Sequence, residues 1–315
     1  MGGVLRLDLI VATFNRCAML RKTLDSVLAA PIPPTLEVVV TVVDNNSSDD
    51  TREVVAAYSR EFGGRLKYLF EKEQGQCCAI NAGIRATTGD VIGMIDDDEQ
   101  VDPNWFVIVA QWFAAEGGDF IGGPYRPAWE IPPPTWIPFD YSGVIGCFDS
   151  VPEVRTFGSD PTVMLPGGNA VVRRSAFDRV GLYSPALLRN GDDDMYRRLL
   201  AAGLHGKYVP ELAIYHHIPA SRLTKSYYRS WVFRKGIYWG QESCQRPEPV
   251  PHLFGIPRYF FGNAVHSFRD LLGRVITGKV DSSCVMSAEL HWWCLAGVLY
   301  GRHFCYEGGD RLPAG

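Results

Sequence analysis

Three apolar runs set the limits on what this chain can fold into. Residues 7–12, 36–43 and 91–95 are dominated by Val, Ile and Leu, and stretches of helical spacing separate them. Nearly continuous apolarity is what a strand covered on both faces needs, so the pattern predicts a parallel sheet between layers of helix. After Thr13-Phe14-Asn15-Arg16, residues Met19, Leu20, Leu24, Val27 and Leu28 recur at helical spacing. The second run ends in Asp44-Asn45-Asn46-Ser47-Ser48-Asp49-Asp50, where Ser and Asp can cap a helix from Thr51 to about Tyr58. Tyr68-Leu69-Phe70 reads as a further strand and Cys78 to Ala86 as a helix, before Gly89-Asp90 turns the chain into the third run. Such alternation predicts an α/β fold with right-handed crossovers and its loops gathered at the carboxyl edge.

Asp96, Asp97 and Asp98 follow the third run at once. Open α/β sheets bind ligands at the carboxyl ends of their strands, and three adjacent carboxylates repel one another unless a cation joins them. A hard divalent ion such as Mg2+ or Mn2+, which takes oxygen ligands and bridges to phosphate, suits the cluster. A solvated acidic turn is the competing reading, since Asp is also a turn former.

With 46% hydrophobic and 21% charged residues over 315 positions, the composition is that of a globular protein with one large or two modest domains. The net charge of -4 argues against a general nucleic-acid binder, and it is unevenly spread. Residues 221–315 hold 12 Lys and Arg against 7 Asp and Glu, a surplus of +5; residues 1–220 hold 19 against 28, or -9. Eight cysteines show no CxxC pair, which suits reduced thiols in a cytoplasmic protein. Neither a signal-peptide pattern nor a run of 18 apolar residues is seen, so a spanning segment is not expected.

The ordered set Val-Ala-Thr-Phe-Asn-Arg (11–16), Val-Val-Asp-Asn-Asn-Ser-Ser-Asp-Asp-Thr (42–51), Gly75 through Asn81 and Ile-Asp-Asp-Asp (95–98) resembles the nucleotide-sugar half of family 2 glycosyltransferases. The likeness continues through Leu-Pro-Gly-Gly-Asn-Ala (165–170) and Gly-Asp-Asp-Asp (191–194) to about residue 220. It implies a GT-A fold, Rossmann-like, with a mostly parallel central sheet flanked by helices. Within the resemblance Thr13, Phe14, Asn15 and Arg16 belong to the nucleotide-binding loop, and Asn81 contributes to the same site. Asp44 accepts from the N3–H of a uracil ring, or else caps the next helix, a task for which Ser47 and Ser48 are nearer. Asp96 reaches ribose or metal, Asp98 ligates Mn2+ or Mg2+ bridging the diphosphate, and Asp97 is structural. Ile80 stands where the family often has Arg, which removes that contact to the nucleotide.

On the acceptor side, Pro166-Gly167-Gly168-Asn169 lets the backbone approach a ligand closely, and the resemblance places donor sugar or acceptor near Gly168 and Asn169. Asn190-Gly191-Asp192-Asp193-Asp194 precedes a helix expected over 195–202. Acids there are stabilised by the helix dipole, which is reason enough for a capping cluster. The stretch also resembles the family's Glu-Asp motif with Asp192 in place of Glu, making Asp193 the catalytic base, with Asp192 beside it and Asp194 a further candidate. His216 and then His217 are the implied metal or diphosphate ligands, and Arg222 and Lys225 can neutralise the leaving group. Between 122 and 165, Trp129 and Trp136 serve either as sugar platforms or as core anchors.

Two domains are expected, a catalytic one over 1–220 and a helical, basic and aromatic region over 221–315. Trp231, Trp239, Trp292 and Trp293 with the basic surplus suggest peripheral contact at the inner face of a membrane. The implied activity is metal-dependent, inverting transfer from an NDP-sugar, UDP-sugar favoured, to a glycan or lipid-linked acceptor. Two alternatives stand beside it: an NDP-sugar nucleotidyltransferase, whose glycine- and lysine-bearing phosphate loop is not found here, and a non-catalytic nucleotide or glycan binding module.

Overall fold

The computed structural model describes residues 3–115, 118–149, 151–160, 162–186, 191–245 and 249–305. In its first part the chain runs β1 (Leu5–Thr13), α1 (Cys17–Ala29), β2 (Leu36–Asp44), α2 (Thr51–Tyr58), β3 (Leu66–Phe70), α3 (Gln76–Ala86) and β4 (Val91–Asp96). Then come β5 (Glu99–Val101), α4 (Trp105–Ala115), β6 (Phe120–Gly122), β7 (Tyr125–Trp129), a 3-10 turn (Phe139–Ile145) and β8 (Arg155–Thr156). β9 (Ala170–Arg173), α5 (Arg174–Val180), α6 (Gly191–Ala201), β10 (Gly206–Tyr208) and β11 (Ile214–Ile218) follow. The chain continues through α7 (Lys225–Gln245), β12 (His252–Leu253), β13 (Ile256–Pro257), α8 (Arg258–Ile276) and α9 (Ser282–Cys305).

Eight strands form one sheet in the order β3-β2-β1-β4-β9-β6-β10-β8. The chain builds outward from β1 through β2 to β3, then returns to lay β4 on the other flank of β1, all four strands parallel. That reversal is a switch point, and it opens a crevice at the carboxyl ends of β1 and β4. Beyond β4 the sheet is mixed, because β9 runs antiparallel between β4 and β6. Side chains alternate across the sheet as strand geometry requires. Leu7, Leu9 and Val11 enter a core with Leu20, Leu24, Val54, Trp105 and Phe106, while Ile10, Ile92 and Met94 enter another with Ile80, Ile84, Phe177 and Met195. Both faces are therefore buried, the condition that continuous apolar strands report.

Residues 1–128 and 148–217 make one compact unit; 129–147 and 218–315 make another. Residues 129–147, expected with the first 220, group with the C-terminal helices. Trp129 and Trp136 pack there against a core of Tyr228, Val232, Met286 and Leu290, so both indoles act as core anchors. Trp136 meets the ring of Tyr228 edge-on at 5.2 Å. α7 and α9 approach so closely that a Cβ on Gly236 would lie 3.0 Å from the Cα of Gly297. Glycine at these positions permits the contact.

Candidate active site

The end of β1 faces the end of β4 across the switch, Ala12 opposite Asp96. Thr13 is buried and donates its hydroxyl to Asp97 Oδ2 at 2.8 Å. Arg16, in the loop that follows, sends Nη1 to Asp97 Oδ1 at 3.0 Å and to Asp98 Oδ2 at 3.2 Å. Thr23 of α1 donates to the carbonyl of Asp97 at 2.8 Å. Asp97 is thus a buried knot tying β1, α1 and β4 together. Thr13, expected in the nucleotide-binding loop, has both its hydroxyl and its carbonyl engaged within the protein, the carbonyl accepting Asn45 N–H at 2.9 Å.

β11 pairs antiparallel with β5, setting His216 opposite Glu99. The His216 Nε2 lies 3.5 Å from Asp98 Oδ2. His217, one residue on, points its side chain to the other face, as alternation demands, and meets Asp98 through the backbone: its N–H donates to the Asp98 carbonyl at 2.9 Å. Of the two histidines, then, His216 has its ring beside a carboxylate of the cluster.

The loop after β2 is anchored by Asp44, also buried. Its Oδ1 accepts Ser47 N–H at 2.8 Å and its Oδ2 the Tyr68 hydroxyl at 2.7 Å. Burial and this bond push the Tyr68 hydroxyl up to about 12. Asp44 does not cap α2, and neither does Ser47 or Ser48, both of which bond to Asn15. The N-cap residue, Asp50, makes no side-chain cap bond either; Asp49 before it accepts both the N–H and the hydroxyl of Thr51 on Oδ1, at 3.2 and 2.6 Å. Asn15 has φ of 52°, a left-handed conformation that Asn tolerates better than most residues, and Phe14 before it is exposed. Asn45 organises the next loop, donating to the carbonyls of Glu71 and Glu73 and accepting Gly75 N–H. That role was not foreseen from sequence.

Beside this crevice is a cavity of about 470 Å³, lined from the predicted set by Asp96, Gly168 and Asp192. Asp96 accepts from Gln76 Nε2 at 3.1 Å. Burial, with the charges of Asp98 and Asp97 adding to it, pushes its carboxyl up to about 7. Glu99, which sequence reasoning passed over, is buried behind Asp96 and accepts its N–H at 2.8 Å. Burial first, then the neighbouring Asp96, hold the Glu99 carboxyl well above the usual carboxylate range. Gly168 owes its identity to this acid, because a Cβ there would lie 2.5 Å from Glu99 Oε1. Its N–H donates to the Tyr125 hydroxyl at 2.6 Å, and burial followed by the Glu99 charge keeps that phenol well above its ordinary value. Its place as the fourth consecutive acid from Asp96 was the available signal for Glu99.

Asp192, Asp193 and Asp194 lie inside the first turn of α6 and not ahead of it; Asn190 is outside the described residues. Asp193 pairs with Arg197 at 2.8 Å and Asp194 with Arg198 at 2.9 Å, each one helical turn along. Asp192 has no such pairing among the contacts described here and stands exposed on the cavity wall, where a Cβ on Gly167 would meet its Cβ at 3.2 Å. The preference for Asp193 over Asp192 therefore runs against the geometry: successive helical residues diverge by about 100°, and here that turns Asp193 off the cavity wall.

Two further residues have structural tasks. Asn81 is buried and clamps the backbone of Tyr183, donating to its carbonyl at 2.8 Å and accepting its N–H at 2.9 Å. Asn169 is fully buried, accepts Trp105 Nε1 at 2.9 Å and donates to the Leu212 carbonyl at 2.6 Å. Neither amide is directed to the cavity, so their expected nucleotide or sugar contacts are replaced by backbone locking. Arg222 belongs to the second unit. Among the described residues no three His, Cys, Asp or Glu side chains converge on one point. Asp98 and His216 are the two side chains that could hold a divalent ion here, with substrate phosphates and water completing its shell.

The fold is that of the GT-A glycosyltransferases, a mostly parallel sheet flanked by helices with acids at its switch point. Residues 8–181 match the model of glycosyl transferase family 2, and the chain belongs to that family. It is similar to the succinoglycan biosynthesis protein ExoM of Rhizobium meliloti, 26% identical over 80% of this chain and 80% of that protein. It is also similar to the glucosyl-dolichyl phosphate glucuronosyltransferase of Haloferax volcanii, 28% identical over 60% of this chain and 59% of that one. Among solved structures, the mannosyltransferase PcManGT of Pyrobaculum calidifontis, in complex with GDP-Man and Mn2+, superposes with a TM-score of 0.61. That match has 16% identity and covers 94% of this chain and 87% of that one.

Proposed function

We propose that the protein transfers a sugar from an NDP-sugar, with UDP-sugar favoured, to a hydroxyl of a lipid-linked or cell-envelope glycan, inverting the anomeric centre in one displacement. The observation that carries the reading is that Asp96 and Asp192 line one cavity, with the Asp98–His216 pair two residues on from Asp96. Asp192 takes the proton of the acceptor hydroxyl; the oxygen bonds to the anomeric carbon as the bond to the diphosphate breaks, and the electron pair leaves with the phosphate. A divalent cation held by Asp98 and His216, when bound, supplies charge stabilisation for the departing diphosphate. An imidazole beside a carboxylate favours Mn2+ over Mg2+. Asp44, although engaged by Tyr68 and Ser47, keeps lone pairs to accept from a uracil N3–H. Support for the donor class comes from the GDP-Man and Mn2+ of the mannosyltransferase complex, and for the acceptor from the dolichyl phosphate and succinoglycan in the relatives' names.

On this reading the enzyme works at the cytoplasmic face of a membrane. No helix among the described residues is long and apolar enough to cross one, so the contact is peripheral within them. The test is a screen of UDP- and GDP-sugars for Mn2+-dependent release of free nucleoside diphosphate, with and without polyprenyl-linked acceptors. Release that ignores chelation of the metal overturns the cation's role. Absence of release with every donor favours a binding module.

A further inference from the structure

Among the described residues, the C-terminal half of α8 carries an apolar face with nothing packed on it. Val265, Phe268, Leu272, Val275 and Ile276 are between 45% and 84% exposed. At about 100° per residue these five fall within one sector roughly 100° wide. The part of α8 that does pack is its N-terminal half: Phe260 and Ala264 are buried with Leu295 and Val298 of α9, and Phe261 packs against them. From residue 272 to 282 every residue is exposed, so the end of α8 and its following turn present this face outward. Single exposed apolar residues are common, but five along one stripe form a contiguous patch that calls for a partner.

The charges around the stripe say which partner. Arg258 and Arg269 project beside its edge, and Lys279 follows the end of the helix. The acids of the same segment are turned aside, Asp270 and Asp281 lining a separate polar groove with His266 and Arg274. Arg274 is 3.9 Å from Asp281, which further neutralises that side. An apolar stripe with cations at its rim and acids removed from it is the form of a helix that lies in the interfacial layer of an anionic bilayer. Two tryptophans of α9, Trp292 and Trp293, are exposed in the same unit, and indoles favour the headgroup level. Trp231 packs inward on the unit's own core, which removes it from the expected set of anchors.

The geometry points to the C-terminal half of α8 as an in-plane membrane anchor that seats Phe268 and Leu272 among acyl chains and Arg269 among anionic headgroups. The inference rests on the membrane-face reading above and names the surface responsible. Its test uses the full chain with vesicles of phosphatidylcholine alone or mixed with phosphatidylglycerol, assayed by sedimentation across salt, alongside the double variant F268D/L272D and the single variant R269E. The expected result is binding to the mixed vesicles that falls with salt, is lost in F268D/L272D, and weakens about fivefold in R269E. All three positions are exposed, so circular dichroism and melting should match the parent. Binding that survives F268D/L272D, or no binding to either vesicle, overturns the inference. So does a concentration-dependent dimer in sedimentation velocity that F268D/L272D abolishes, because the face would then belong to a second copy. Donor hydrolysis in free solution separates the two readings: F268D/L272D should retain it, whereas its absence in the parent with vesicle binding intact removes the transferase and leaves the anchor.

Discussion

Two runs of three aspartates, 96–98 and 192–194, are spelled identically and behave differently. The first follows a parallel strand into the sheet's switch point, where burial and mutual repulsion raise Asp96 to about 7 and Arg16 bridges Asp97 and Asp98. The second occupies the first turn of a helix, in the favourable field of its dipole, and two of its three members have arginine partners one turn on. In the turn that leaves β4, Asp97 and Asp98 meet at one guanidinium; the first turn of α6 fans its acids apart. The same three letters therefore make a buried, Arg-bridged cluster in one place and, in the other, two ion pairs with one acid that has no such partner among the described residues.

The sharpest way to break this contrast is to neutralise the helical acids one at a time. Asp192→Asn should lower kcat by about 10²–10⁴ while donor affinity holds, the range expected for loss of a general base. Asp193→Asn, which removes only an exposed pair with Arg197, should turn over within a few-fold of the parent. Reversed results would return the base to Asp193. In the strand cluster, Asp98→Ala should weaken Mn2+-dependent UDP binding by about 10²–10³, read by calorimetry. Unchanged affinity would show the cluster to be an acidic turn.

Asp97→Ala sharpens the comparison from the side of stability. It leaves the buried Thr13 hydroxyl without its acceptor, at a cost of about 1–3 kcal/mol, whereas Arg16 is half-exposed and water replaces most of what it loses. A melting temperature several degrees lower, with no comparable change in Asp193→Asn, is the expected result. Asp49→Ala gives the smallest effect. Burial opposes its ionisation, but the bonds from Thr51 and Cys17 outweigh that and hold its carboxyl below the ordinary value. A depressed carboxyl contributes stability that is fully present above its unfolded value of about 3.9 and is lost as pH falls through the folded one. The variant should therefore lose about 1 kcal/mol at neutral pH by denaturant melts, and the gap to the parent should narrow below about pH 4.

Local pattern carried most of the nucleotide-sugar half. α2 begins at Thr51 and ends at Tyr58 as its spacing predicts, and β4 runs one residue past the expected strand, to Asp96. The site was less legible. Asn81 and Asn169 share their residue type with ligand-binding amides, yet their partners are the backbone of Tyr183, Leu212 and Pro124, more than 40 residues away in the chain. Glu99 was missed because a fourth acid in a row reads as solvated, and only the pairing of β5 with β11 buries it.

From sequence alone came the α/β alternation, the strands buried on both faces, the acids at the end of β4, the helical C-terminal region and the resemblance to family 2 glycosyltransferases. These follow from periodicity over a few residues, where side-chain direction is set by the backbone itself. Tertiary structure decided which carboxylates line the cavity, that the ring of His216 lies beside the Asp98 carboxylate, that residues 129–147 join the helical unit, and which face of α8 is left uncovered among the described residues. Each depends on what lies opposite in space, and the chain brings those partners together only when the sheet closes around β1.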